Sequence, residues 1–221
     1  IGLPGEALGI FTRNRSLQLV GSGPSSWQLQ PIAEDVGAVE HTVQTVGATL
    51  ALDDRGVVST AASDRYGNFE QATVSRLVQP LVKRMRGLAV ASCVVRERNL
   101  YRVFCSNGFV LSVLPARDSQ FGSLALGFTP TCVWSGEDQD GVERIFAGAS
   151  NGFVYELDVG QSQDGQPVEA FFRTVYASSK GPRTRKRYRK LVLDVVSDRY
   201  STLSMSAELT FGDEGIRTVP V

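Results

Sequence analysis

A strand–turn–strand signature returns about every forty to fifty residues along this chain, which limits it to a repeated β architecture. The clearest pair is Tyr101-Arg-Val-Phe-Cys-Ser-Asn-Gly-Phe-Val110 and Arg144-Ile-Phe-Ala-Gly-Ala-Ser-Asn-Gly-Phe-Val154. Their glycines, Gly108 and Gly152, stand 44 positions apart (152 − 108). Looser copies are Thr49-Leu-Ala-Leu-Asp-Asp-Arg-Gly-Val-Val58 and Gly9-Ile-Phe-Thr-Arg-Asn-Arg-Ser-Leu-Gln-Leu19. Asn-Gly between two apolar runs predicts a hairpin closed by a type I′ turn, which needs positive φ at both central residues. A hairpin unit of this length cannot bury both its faces alone, so the units must stack. The expected fold is all-β: about four propeller-like blades over residues 1–160, then a small β-sandwich-like module over 161–221.

Expected strands are Leu88–Arg96, Leu100–Cys105, Phe109–Leu114, Gly122–Phe128, Thr131–Trp134, Val142–Ala147 and Phe153–Val159. Between the second and third units, Phe69–Arg86 has largely helical apolar spacing, with Pro80 expected to break or kink it. Gly160-Gln-Ser-Gln-Asp-Gly-Gln-Pro167 reads as a polar linker. Past it, Val168–Ala177 alternates, and Leu191–Val196, Leu203–Leu209 and Ile216–Val219 read as strands.

Charge excludes a global field: 23 Lys and Arg balance 23 Asp and Glu. No apolar run approaches the roughly 20 residues that span a bilayer. The opening Ile1-Gly-Leu-Pro-Gly-Glu6 has no secretory-signal pattern and no methionine, as expected of a segment of a longer polypeptide. Cys93, Cys105 and Cys132 are odd in number, without metal spacing and in apolar strand contexts. They are expected to be free, buried and folded in a reducing compartment such as a cytoplasm.

Several residues invite chemistry. Asp35, Asp53 and Asp54 could hold a metal or an acid–base pair, but Asp-Asp-Arg-Gly is more economically a turn whose aspartate accepts from backbone amides. His41, the one histidine, has no serine or cysteine motif beside it. Gly21-Ser-Gly-Pro24 lacks the lysine and helix of a phosphate loop. Gly136-Glu-Asp-Gln-Asp-Gly141 lacks the distal glutamate of a calcium loop. No enzyme, cofactor or metal site is expected, and a glycosidase-like carboxylate set does not assemble from these residues. The strong local field is a basic run: Lys180, Arg183, Arg185, Lys186, Arg187, Arg189 and Lys190. It suits nucleic-acid phosphates, a solvated strand edge, or an acidic neighbour in an assembly.

Three stretches resemble the tail nozzle, or tail tubular, proteins of short-tailed bacteriophages, which close and stabilise the head. They are Ile10-Phe-Thr-Arg-Asn-Arg-Ser-Leu-Gln-Leu-Val-Gly-Ser-Gly-Pro-Ser-Ser-Trp27; Ile32–Gly37 followed by Leu50-Ala-Leu-Asp-Asp-Arg-Gly-Val57; and Phe172-Arg-Thr, Ser179-Lys-Gly-Pro and Lys186-Arg-Tyr-Arg-Lys-Leu-Val-Leu193. The resemblance implies a structural virion protein: one of six copies in a ring that extends the DNA ejection channel below the portal and adaptor. It also implies tail fibre or needle proteins as neighbours, transient non-specific contact with DNA, and assembly in the host cytoplasm. The alternative is a non-viral propeller scaffold for protein interactions. A scaffold of the WD40 kind would place Trp-Asp at blade ends, whereas Trp27 and Trp134 are followed by Gln and Ser. An open array of four units also leaves an uncovered edge and an apolar flank, so the chain is expected to self-associate.

Overall fold

The structure is a computed structural model that describes residues 1–3, 7–60, 72–116, 119–175, 192–196, 202–207 and 217–220. The protein is mostly β, in several small antiparallel sheets, with no closed barrel among the described residues. It divides into two units, Ile1–Ala170 and Phe171–Val221.

The first unit is a run of meanders, each sheet made from one contiguous stretch of chain. Sheet one holds β1 (Gly2–Leu3), β2 (Ala7–Phe11), β3 (Ser16–Val20) and β4 (Gln28–Ala33) in that order. Sheet two holds β5 (Gln44–Val46), β6 (Ala48–Leu52) and β7 (Val57–Ser59). Sheet three holds β8 (Ala89–Val95), β9 (Leu100–Cys105), β10 (Phe109–Leu114) and β11 (Gln120–Ala125). Sheet four holds β12 (Pro130–Glu137), β13 (Glu143–Ala149) and β14 (Val154–Leu157).

Period-two alternation decides how these sheets meet, because successive side chains point to opposite faces. In sheet two, Leu50, Leu52 and Val57 face one way and pack with Val94, Tyr101, Val103, Leu111 and Val113 of sheet three. Ala51 and Val58 face the other way and pack with Ala33 and Phe11 of sheet one. Sheet three repeats the arrangement: Cys93, Val95, Phe104 and Val110 leave its opposite face and meet Ile145, Val133 and Leu157 of sheet four. The four sheets therefore stack in chain order, and the middle two are apolar on both faces. Full burial of a side chain such as Leu52, which is 0% exposed, stabilises the stack by roughly 1.5–3 kcal/mol.

The hairpins form where the repeat placed them, with a different turn at the two clearest. At Cys105–Gly108 and Ala149–Gly152 only the glycines take positive φ, 80° and 86°. Asn107 and Asn151 keep negative φ, and their side-chain oxygens accept from the N–H groups of Phe109 and Phe153, at 3.1 Å each. A turn of the ordinary hand followed by a left-handed glycine is the bulged three-residue hairpin, not the type I′ form. The two-residue turn with paired positive φ lies instead in the stretch read as a linker. There Asp164 and Gly165, at 51° and 80°, join β15 (Ser162–Gln163) to β16 (Gln166–Pro167).

The expected helix is shorter than its apolar spacing. Helix α1 covers Gln79–Met85 and carries Pro80 in its first turn, so Pro80 starts the helix rather than breaking it. There a proline loses no intrahelical bond, and its fixed φ suits helix entry. Val82 and Met85 of α1 close the core between sheets two and three. Residues 61–71 lie outside the described residues.

In the second unit the described residues hold one antiparallel pair, β17 (Ser204–Ala207) with β18 (Arg217–Pro220). Residues 168–175, read as alternating, and 192–196, read as part of a strand, belong to no sheet.

Candidate functional site

The carboxylates singled out from sequence form structural ties. Asp53, 3% exposed, opens the β6–β7 turn and accepts three N–H bonds: Gly37 at 3.0 Å, the Arg55 backbone at 2.9 Å and Arg55 Nε at 3.1 Å. Asp54 pairs with Arg13 from the β2–β3 hairpin, and Asp35 lies 3.5 Å from Arg55. These bonds join the first sheet's loops to the second sheet's turn, so the aspartates serve the fold. Among the described residues no group of three or more metal-binding side chains occurs.

The other candidates resolve similarly. His41 is exposed, adopts φ of 58° and lies 3.4 Å from Glu40. In the Gly21–Pro24 turn the Gly23 N–H, which an anion cradle would need, donates to Ser26 Oγ at 3.2 Å. In the acidic loop, Asp138 accepts from the N–H groups of Asp140 and Val142 at 2.9 Å each, and from Arg144 Nε at 2.7 Å. The Arg144 hydrogen bond, seconded by the Val142 amide, holds its carboxyl below the usual range. Cys93 and Cys105 are buried and free as expected, but Cys132 is exposed, a correction to the sequence reading. All seven cations of the basic run, from Lys180 to Lys190, lie outside the described residues.

A cleft that no single segment announces forms where three sheets meet. Strands β5, β8 and β12, the first of their sheets, lie side by side. Gln44, Thr45, Val94, Arg96, Ser135, Glu137 and Glu143 contribute to the wall of a cavity of about 320 Å³ between them. Glu143 is fixed by the chain, accepting from the N–H of Arg96 at 2.6 Å and of Glu97 at 3.0 Å. The Arg96 guanidinium lies 3.7 Å from Glu137. The cleft thus presents two carboxylates, one guanidinium and side-chain amide and hydroxyl groups. That set suits a polar or cationic group. It holds no nucleophile beside a base, which covalent catalysis requires.

One further ionic tie is buried. Arg102, in the middle of β9, is 4% exposed and meets Asp158 at 2.7 Å. Asp158 follows β14 with a φ of 63° and also lies 3.7 Å from Arg98. The pair locks the third sheet to the end of the fourth. Sequence reading passed over Arg102; its signal was a charge at an inward position of an alternating strand.

No helix among the described residues is long and apolar enough to cross a membrane. Compared with protein-family models, curated proteins and solved structures, the chain matches none.

Proposed function

We propose that this chain is a structural subunit of a homo-oligomeric ring, of the tail-nozzle kind, lining part of a phage DNA ejection channel. The observation that carries this reading is the serial stack: small antiparallel sheets in chain order, with first strand β5 beside β8 and β8 beside β12. Blades set side by side about an axis would bring their first strands together in this way, which supports the reading. It agrees with the resemblance of Ile10–Trp27, Leu50–Val57 and Phe172–Leu193 to nozzle proteins.

On this reading the adaptor lies above the ring and fibre or needle proteins lie below, in the virion tail. A near-neutral chain suits a conduit, whose wall must let DNA slide rather than hold it through many phosphate contacts. The basic run from Lys180 to Lys190 then touches DNA transiently or docks an acidic neighbour. Negative-stain electron microscopy with light scattering tests the proposal. Rings with a central hole, six copies each, are the expected outcome. A compact monomer at all concentrations overturns it in favour of a propeller scaffold, whose polar cleft at Arg96, Glu137 and Glu143 becomes the ligand site.

A further inference from the structure

On the face of sheet three that meets sheet four, two buried polar atoms have no partner among the described residues: Arg102 Nε and Ser112 Oγ. Arg102 is 4% and Ser112 9% exposed. The register sets Arg102 of β9 directly opposite Ser112 of β10, and residues so opposed point to the same face. The rest of that face is apolar: Val95, Phe104 and Val110 pack with Ile145 of sheet four.

We infer that Arg102 Nε and Ser112 Oγ together hold one internal water molecule, a built-in part of the junction between sheets three and four. The water accepts from the guanidinium Nε–H and donates to the serine oxygen. The site lies wholly within one chain, so the inference goes beyond the ring reading and does not depend on it.

First, the surrounding groups leave both atoms unmet. Asp158 takes a different nitrogen of Arg102, Nη1, at 2.7 Å, and the same carboxylate oxygen lies 3.7 Å from Arg98. Cys93, opposite Arg102 on its other side, offers only a thiol, which is a weak acceptor. Buried polar groups in folded chains are nearly always bonded, to protein or to ordered water. Two adjacent orphans therefore point to one shared ligand. Second, the spacing suits water. Directly opposed Cβ atoms stand about 4.5–5.5 Å apart, and two hydrogen bonds through one oxygen span up to about 5.6 Å. Third, the row of side chains Cys93, Arg102, Ser112 and Gly122 crosses the whole sheet. A side chain placed at Gly122 would meet nothing within 4 Å, so the space beside Ser112 is open. The site thus lies one strand from solvent, close enough for water to exchange by local opening.

Charge selects water over an anion. The Arg102 charge is already matched by Asp158, so a halide would add a buried charge without a partner, which is far costlier than a neutral molecule.

A crystal structure of the 221-residue chain, grown with bromide as the sole halide, tests this. The expected result is an ordered oxygen about 2.7–3.2 Å from both Arg102 Nε and Ser112 Oγ, with no anomalous bromine signal there. In solution, oxygen-17 magnetic relaxation dispersion counts long-lived internal waters whether or not the chain assembles. Ser112→Ala removes one partner without adding bulk. It should lower the occupancy of the site about fivefold, read as the loss of close to one long-lived water. A bromine peak at the site overturns the inference, as does a protein atom bonded to Ser112 Oγ in place of the oxygen. So does a water count unchanged in Ser112→Ala. The wild-type crystal decides alone if that variant does not fold.

Discussion

Asp53 and Asp54 are neighbours in one turn, and replacing either carboxylate by its amide should have very unequal consequences. Asp53 is buried and its two oxygens accept from Gly37, from the Arg55 backbone and from Arg55 Nε. In Asp53→Asn one oxygen becomes an amino group, so at least one of these donors faces another donor. A buried donor left without an acceptor costs about 1–3 kcal/mol. Loss of the charge on the remaining bonds adds about 1 kcal/mol. The expected destabilisation is about 2–4 kcal/mol, or a fall in Tm of about 5–15 °C for a unit of this size. In Asp54→Asn the lost partner is Arg13, in a pair whose side chains are 56% and 36% exposed. Such exposed pairs contribute about 1 kcal/mol or less. Urea denaturation followed by far-ultraviolet circular dichroism measures both variants. If Asp53→Asn costs under about 1 kcal/mol, or Asp54→Asn costs as much as Asp53→Asn, the structural role assigned to the buried carboxylate is wrong.

Three further outcomes follow from local geometry. Gly108→Ala and Gly152→Ala each force a side chain into a left-handed conformation, costing about 1–2 kcal/mol. At Gly108 the new methyl also meets the carbonyl oxygens of Leu126 at 2.8 Å and Phe128 at 2.9 Å, while Gly152 faces open space. Gly108→Ala should therefore be the worse by at least about 1 kcal/mol in a urea titration; equal costs refute the packing account. Burial pushes the Cys93 thiol up to about 12 and Cys105 up to about 11, from an ordinary 9.0. Raised thiols contribute stability that is complete below pH 9 and is lost as the pH climbs toward their folded values. Unfolding midpoints should fall through that alkaline window, and Cys93→Ala should flatten the fall. At pH 8 in dilute, dissociated chain, a thiol reagent should label Cys132 alone until the protein unfolds.

What the sequence disclosed was local. The Ser-Asn-Gly-Phe-Val pair located two hairpins, and alternation located β8, β9 and β10 to within a residue or so, because both signals are properties of neighbouring residues. The turn type was misjudged because Asn107 and Asn151 spend their side chains on the next-but-one amide, which stabilises an ordinary turn before the glycine. Asp164-Gly165 carried the paired left-handed signal and was overlooked among polar neighbours. Pro80 was read as an obstacle because apolar spacing ran on both sides of it; only the start of α1 at Gln79 turns it into an initiator. The cleft was illegible for a different reason. Gln44, Arg96, Glu137 and Glu143 come from three sheets, and nothing in any one segment marks them. The partnership of Arg102 with Asp158 was hidden by the same distance along the chain.

The order of the stack also sets how the chain can acquire its structure during synthesis. Every sheet of the first unit is closed by turns within its own contiguous segment, and each then needs only the sheet before it. Such short-range pairing costs little loop-closure entropy and folds fast for a β protein. A ribosome releasing the chain from its N-terminus therefore hands over each sheet when the surface it must cover already exists. The buried Arg102–Asp158 bond is among the last of these ties between successive sheets, because it waits until β14 has emerged. That late bond acts as a latch on an otherwise sequential process, fastening the third sheet only after the fourth is in place.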